Sequence, residues 1–566
     1  MIDSQKLNLL YPFQVFDKRF LIDLPSGFPK KISECAWELI VACKTNNGND
    51  LKHHFSGEEI EQARKEIEEK FTLGALGGQV DGGNEDLKPT GIFSALINLT
   101  HQCNMACRYC LMALDSLKEG YYGVPDGMTE ETGRNAIDFL HEAGVPSPVS
   151  LTFFGGEPFL EFPLMKKLVT YAETHYPGRF FFNIITNGTL LTDEAIDFIE
   201  KHRIGLVFSI DGDRERNDRL RIFKNGKGSV FDRAFGNLTR LIRRVPGARY
   251  KVNITYFKQT LELSESFRFF LETGIRQTRY ERGLTERKSP YALDDNDVET
   301  VKKEFSKMAT MYRDFLLSGG FHIQDNFVIL MKKLSNGIPR FHGCNMGVDY
   351  VTIASNGDIY PCHKLIGLPT SRMGHVSTGF DNSFYDELWH KNVLSRHPCR
   401  TCWARFICGG LCASDNYHYN GDFLTPVPKN CRIMRHLIKL SCWLLSELED
   451  RSPDVLKRLL GTDYLKETDI PSQRRTVLES REGNHRLLNR ETSGEYLLNG
   501  PALEIFEACN GKNTVKDIAE HLTSVYGIPM DVAIQDVRNT LHKMARNGLV
   551  TLPDAGTPSG SIDVEC

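Results

Sequence analysis

The sequence predicts an α/β protein. A parallel sheet, open or closed into a partial barrel, carries a cysteine-rich extension and a small unit at each end. Three observations predict this. From about Ser94, strand-like runs alternate with helical periodicity, which is the mark of βα units. Residues from about 335 to 435 are irregular and hold seven cysteines. Both ends of the chain read as a hairpin followed by helices.

Residues 1–73 form the first unit. FQVFDKRFLIDLPSG (Phe13 to Gly27) reads as two short strands around a turn at Asp17–Lys18. Helical periodicity follows in ISECAWELIVACK and in SGEEIEQARKEIEEKF, where Ser56 is placed as N-cap with Glu59 three residues on. Residues 74–90, with GALGGQVDGG, form a linker that is flexible by composition. The strands expected over 91–334 are SALINL, VSLTFF, FFFNIITN, GLVFSID and KVNITYF, with helices such as TEETGRNAIDFLHEAG and TDEAIDFIEKH between them. The cysteine-rich stretch spans 335–435, and an amphipathic helical bridge spans 436–471. Residues 472–555 start with a hairpin, RLLNRETSGEYLLNG. They continue through three helical patterns to a last strand in NGLVTL. The tail, 556–566, reads as disordered.

Composition excludes several classes. The net charge of 566 residues is only -4, so no basic footprint for nucleic acid is present. The start lacks the pattern of a signal peptide, and no run of about 18 apolar residues suggests a membrane span. A cytoplasmic protein is expected. Fifteen cysteines without a secretion signal argue for metal or cluster binding over disulfides. Cys35, Cys43, Cys442 and Cys509 lie outside any ligand-like spacing and are expected to be small buried residues; Cys566 falls in the tail.

After the strand SALINL comes HQCNMACRYC, with Cys103, Cys107 and Cys110 at spacing C-x3-C-x2-C. A structural zinc site closes with four ligands. Three thiolates fit three irons of a 4Fe–4S cluster and leave the fourth iron without a protein ligand; zinc is the competing reading. Later strands end in further short polar motifs. FFGGEP brings Gly155, Gly156 and Glu157 to a strand end; two glycines permit close backbone approach. ITNGTLLT and SIDGDRERNDRLR place Asn187, Ser209 and Asp211 at the next strand ends, suited to hydroxyls and carboxylates, although each residue type also serves as a cap or turn.

Together these motifs resemble the radical S-adenosylmethionine superfamily: the cysteine triad, aromatic Tyr109 just before its third cysteine, and the GGEP turn one βα unit later. The resemblance implies a partial (β/α)6 barrel. It implies a 4Fe–4S cluster on Cys103, Cys107 and Cys110 whose open iron is chelated by S-adenosylmethionine, which is cleaved to a 5′-deoxyadenosyl radical. Gly155, Gly156 and Glu157 would line the methionine amino group. Asn187, Ser209 and Asp211 are candidates for ribose or carboxylate contacts, and Tyr109 belongs to the same cofactor-binding set. No catalytic side chain is singled out.

Cys344, Gly357 and Cys362 give C-x12-G-x4-C. Cys399, Cys402, Cys408 and Cys412 then give C-x2-C-x5-C-x3-C, and Cys431 follows. This resembles the seven-cysteine SPASM extension, a holder of two auxiliary 4Fe–4S clusters, which makes three clusters in all; paired zinc ribbons compete. By the resemblance, Cys399, Cys402, Cys408 and Cys431 would bind the distal cluster, and Cys344, Cys362 and Cys412 the nearer one. Two departures stand out. No eighth cysteine precedes Cys344, so the nearer cluster has an open iron or a ligand such as His342. Sulfatase-maturing relatives carry an aspartate base after the second SPASM cysteine; this chain has His363 there.

The C-terminal unit resembles PqqD-like peptide-binding domains through SGEYLLNGPALEIFEACNGKNTVKDIAEHL and DVRNTLHKMARNGLV. The N-terminal unit looks like the winged-helix recognition domains fused to peptide-modifying radical enzymes. Such domains take a leader peptide as an added strand. The resemblance therefore implies an enzyme that modifies the core of a ribosomally made precursor peptide, by a thioether or another crosslink. Its partners would be the precursor with its leader, and reduced flavodoxin or ferredoxin as electron donor. Two readings compete: maturation of a protein subunit by radical crosslinking or quinone formation, and a peptide-carrying chaperone whose clusters only transfer electrons.

Overall fold

The computed structural model describes residues 4–30, 32–45, 51–72, 91–110, 126–144, 148–336, 339–344, 346–380, 390, 392–460, 472–473, 476–481, 484–489, 494–498, 500–546 and 550–551. The expected linker at 74–90 and tail at 556–566 lie outside them.

The N-terminal unit is an antiparallel meander, β1 (Leu10–Val15), β2 (Lys18–Asp23) and β3 (Phe28–Lys30), in that order. The turn falls one residue earlier than expected. Lys18 already pairs with Val15, so Phe16 and Asp17 make the turn, with Phe16 at φ 51°. β3 was not anticipated, because Pro29 at its centre removes a ladder donor and reads against a strand. The helix Gly57–Thr72 starts at the expected cap. Ser56 Oγ accepts from Glu59 N at 3.2 Å, and Glu59 Oε2 accepts from Ser56 N at 2.7 Å.

β4 (Ser94–Thr100), β5 (Val149–Gly155), β6 (Phe180–Thr186), β7 (Gly205–Ser209), β8 (Tyr250–Tyr256) and β9 (Gln277–Arg282) lie side by side in chain order, and every adjacent pair is parallel. Helices connect them across one face. β10 (Ile323–Gln324) extends the sheet beyond β9, and β11 (Tyr350–Ile353) lies parallel to β4 at the other side. The sheet is therefore open. Period-2 alternation explains its two faces. Ile97, Leu99, Leu151, Phe153, Phe182, Ile184, Leu206, Phe208, Val252 and Ile254 pack into the core beneath the helices. Their alternates include Asn98, Thr152, Asn183, Ser209, Asn253 and Glu281, which leave the other face polar.

The cysteine-rich segment adds β12 (Asp358–Tyr360), β13 (Gly374–His375) and β14 (Gly379–Phe380) to the same sheet. The spacing C-x12-G-x4-C is a β11–β12 hairpin in which Gly357, at φ 89°, makes the turn; a Cβ there would stand 2.7 Å from His375 Nε2. The bridge helix begins at Pro428, ahead of the expected 436, because Pro at its first position starts it; Cys431 therefore sits in its first turn.

The C-terminal unit holds a short pair, β15 (Ser472–Gln473) with the late β19 (Val550–Thr551). Beside it lies an antiparallel meander of β16 (Thr476–Arg481), β17 (Asn484–Asn489) and β18 (Gly494–Leu498). Helices Gly500–Ala508, Val515–Tyr526 and Met530–Arg546 share one small core around Ile505, Phe506, Ile518, Leu522, Val537 and Leu541. Of the cysteines outside ligand-like spacing, Cys35, Cys442 and Cys509 are buried. Cys43 is exposed, since it falls in the last turn of its helix beside exposed Lys44 and Thr45. No helix among the described residues is long and apolar enough to cross a membrane.

Candidate functional site

The cysteine triad leaves the C-terminal end of β4 and is fastened on both sides. Ala106 N donates to Ile222 O at 2.8 Å and Arg108 N to Leu220 O at 2.9 Å. Cys103, Cys107 and Cys110 lie in one another's electrostatic field, as thiols of one site must. Burial raises the Cys103 thiol and pushes that of Cys107 up to about 12, while Arg221 pulls against it for Cys107.

The GGEP turn lies directly on this loop. Gly156 N donates to Thr100 O at 2.7 Å, and Glu157 N to Gln102 O at 2.9 Å. A Cβ on Gly155 would stand 2.2 Å from Thr100 O, and one on Gly156 2.2 Å from Gln102 O. Gly155 also holds φ 146°. The glycines thus let the cluster loop pass against the strand end. Glu157 is fully buried and accepts from Thr186 Oγ1 (2.8 Å), Asn187 N (2.8 Å) and Phe159 N (3.1 Å); burial pushes its carboxyl up to about 7.

Asn187 Nδ2 donates to Asn104 Oδ1 at 2.9 Å and lies 3.8 Å from Cys103 Sγ; its Oδ1 accepts from Thr189 N. Asp211 is held from four directions. Arg221 Nε (2.8 Å) and Tyr109 Oη (2.6 Å) donate to its Oδ2; Thr255 N (2.8 Å) and Arg221 Nη2 (3.3 Å) donate to Oδ1. Tyr109 stacks on Phe257 at 4.4 Å, with the Arg221 guanidinium 5.4 Å from its ring centre. Asp211 thus ties the cysteine loop to β7, β8 and Arg221, with both oxygens engaged by the chain itself. Ser209 is the contrast: half-buried at the end of β7, its hydroxyl has no hydrogen bond among the described residues. The helix caps at these strand ends are other residues, Thr192 and Asp213, while Asn187 closes a turn by accepting from Thr189 N. Arg221 was missed, although it closes the quoted run SIDGDRERNDRLR; only the fold shows that it turns back under Tyr109.

The seven later cysteines fall into two electrostatic groups. Cys412 shares a field with Cys344 and Cys362, whereas Cys431 shares one with Cys399, Cys402 and Cys408. The His342–Gly343 backbone packs on Gly409–Leu411, which brings Cys344 to Cys412. Burial raises the thiols of Cys408 and Cys412, and pushes those of Cys399 and Cys431 up to about 11 and about 12. Lys364 Nζ stands 4.0 Å from Cys412 Sγ and 3.2 Å from Asp415 Oδ1; Arg282 Nη2 of β9 joins Asp415 Oδ2 at 2.7 Å. His363, half-buried and pushed down to about 3 by desolvation, lies with its ring 5.2 Å from Phe154 of β5. His342 lines a cavity beside Cys344 together with Arg396 and Leu411.

Three soft thiol donors on one loop, glycines that let that loop pack against the end of β5, and the Ser209 hydroxyl at the end of β7 suit a 4Fe–4S cluster and S-adenosylmethionine on β4–β7. The two later groups supply three and four thiols. All must lose protons on loading, so metal uptake is favoured by higher pH.

Comparison with known proteins agrees with this geometry. The family model of the radical SAM superfamily matches residues 97–270, and that of coenzyme PQQ synthesis protein D (PqqD) matches residues 484–550. The chain is 25% identical to a serine-type anaerobic sulfatase-maturating enzyme of Bacteroides thetaiotaomicron, over 56% of this chain and 82% of that one. It is 22% identical to the antilisterial bacteriocin subtilosin biosynthesis protein AlbA of Bacillus subtilis, over 60% of this chain and 71% of that one. The fold is similar to that of native anSMEcpe with bound AdoMet and Cp18Cys peptide, with TM-score 0.54 and 18% identity, covering 63% of this chain and 98% of that one. The chain carries a radical SAM domain over residues 97–270 and a PqqD domain over residues 484–550.

Proposed function

We propose that this enzyme is a cytoplasmic maturase that binds a ribosomally made precursor peptide and modifies its core residues, forming a thioether or another crosslink. The observation that carries this reading is the junction, in one chain, of a radical SAM sheet, two further thiol groups at its rim, and a PqqD domain whose β18 pairs, among the described strands, with β17 alone. When bound, the cluster and S-adenosylmethionine supply the 5′-deoxyadenosyl radical, with reduced flavodoxin or ferredoxin as the electron source.

The chain's own residues would do the rest. Cys103, Cys107 and Cys110 would hold one cluster; Cys344, Cys362 and Cys412 a second; Cys399, Cys402, Cys408 and Cys431 a third. Gly155, Gly156 and Glu157 would shape the strand end toward the methionine end of the cofactor, and Ser209 would offer its hydroxyl. Asp211, Asn187 and Tyr109 position the loop.

The leader would add as a strand on β18. Among the described strands β18 pairs only with β17, and it is five residues long without proline. β3 is a poorer template: it has three residues, one of them Pro29, and Gly27 before it presses on Phe406. The kinship with a sulfatase-maturating enzyme favours maturation of a whole protein as the second reading. His363 in place of the aspartate counts against it.

Co-expression with a candidate precursor, followed by mass spectrometry, tests the proposal. A mass change confined to core residues and absent in the C103A/C107A/C110A variant is expected. A precursor unmodified by an enzyme that still makes 5′-deoxyadenosine would overturn the peptide reading.

A further inference from the structure

Arg396 lies in the segment between the two later thiol groups. It is 6% exposed, three residues before Cys399. Its side chain lines the cavity shared with Cys344, His342 and Ala413. Its guanidinium rests on Gly410, so closely that a Cβ there would stand 2.8 Å from Nη1. Gly410 is itself the link between Cys408 of one group and Cys412 of the other. Cys399, Cys344 and Cys408 all lie in the field of Arg396, together with the carboxylate of Asp422. One guanidinium therefore faces both groups. Lys364, joined to Asp415 at 3.2 Å, faces the group of Cys362 and Cys412.

A buried cation is costly, and arginine does not relieve the cost by giving up its proton. It persists where negative charge compensates it. Thiolate-bound clusters carry such charge, and reduction adds one more unit. A fixed cation nearby stabilises the reduced form more than the oxidised form, so it raises the reduction potential.

We propose that Arg396 is a positioning residue that serves as the shared cation of both auxiliary clusters and holds both at a raised reduction potential. This rests on the reading of the seven cysteines as two cluster sites. Because one charge faces both, its removal shifts both potentials in the same direction. The cluster on Cys103, Cys107 and Cys110 is outside the set of thiols that Arg396 faces and keeps its potential.

The test is a redox titration of full-length reconstituted protein, followed by electron paramagnetic resonance, with iron counted per chain. Wild type, R396K and R396Q are compared. The expected result is that R396Q keeps its iron but both auxiliary signals titrate at lower potential, while R396K stays near wild type and the third signal does not move. Unshifted auxiliary potentials in fully loaded R396Q would overturn the proposal. If R396Q loses auxiliary iron while R396K retains it, the need for a cation stands. Equal loss in both would assign the need to the shape of the guanidinium and remove the charge role. Wild type with iron for a single cluster would instead refute the two-site reading, and with it the proposal.

Discussion

Glu157 shows how one side chain joins structure to chemistry. It is fully buried where β5 turns, yet three donors from Thr186, Asn187 and Phe159 converge on it. Desolvation prevails over these donors and lifts its carboxyl from 4.5 to about 7. A raised carboxyl means that the folded protein holds a proton the unfolded chain has released. Stability of the cluster-free protein therefore falls as pH rises from about 4.5 to about 7, by roughly 2–3 kcal/mol. In Glu157→Gln that component of the slope is absent. Urea melts of both proteins between pH 5 and pH 8 check this: parallel stability curves would refute it. The residue types at this site were legible in the sequence, because GGEP and C-x3-C-x2-C each state a spacing. What they bond to was not. Asp211 looked like a free acceptor, but its partners Arg221, Tyr109 and Thr255 come from three separate segments. Only the folded strand ends bring them together.

At the scale of elements, β1 and β2 do more than form a small unit. One face of their sheet covers the helix Glu34–Thr45, with Leu10 and Leu21 packed beside Trp37 and Ile40. The other face lies on the cysteine-rich segment. Tyr11 stacks on Trp403 at 4.9 Å, Arg405 Nη2 donates to Leu24 O at 2.6 Å, and the Lys439 ammonium sits over Tyr11, Phe13 and Trp403. Lys18 reaches Glu447 at 3.1 Å on the bridge helix. Trp403 follows Cys402 directly, so the sheet holds one wall of the Cys399–Cys408 loop. Trp403→Ala should cost about 3–5 kcal/mol of local packing. The iron assigned to Cys399, Cys402, Cys408 and Cys431 should then be lost first, with that of Cys103, Cys107 and Cys110 retained. Iron analysis with resonance spectra decides it; full loading of the variant would show that the sheet is dispensable to the loop. The strands of this docking were visible as alternating residues around Asp17. Their second partner was not, since period-2 patterning marks a buried face without naming what covers it. β3 was hidden for a simpler reason, the proline at its centre.

For the whole molecule, the arrangement separates chemistry from capture. The cysteine loop, the GGEP turn and the later thiol groups are joined through one sheet, β10 to β14, and through the bridge helix Pro428–Arg451. The PqqD unit has its own strands and its own core, which includes none of the sheet's residues. Its helix Val515–Tyr526 is also closed locally, by a capping box between Thr514 and Asp517. A truncation that removes residues 471–566 should therefore leave the site of S-adenosylmethionine cleavage folded. The precursor would lose its tether. Docking of a leader on β18, as proposed, would hold the core near the site at an effective concentration that short flexible connections put in the millimolar range. Without it, a micromolar precursor must reach the site unaided, and modification should fall about 100-fold or more. Deoxyadenosine formation in the absence of peptide should stay within about twofold of the full chain. Two assays settle the matter: uncoupled cofactor cleavage, and the rate of product formation at micromolar and at millimolar precursor. Recovery of the rate at millimolar precursor identifies the loss as one of tethering. If the truncated chain modifies micromolar precursor at the full rate, β18 is not the leader's docking strand, and β1–β3 becomes the place to look.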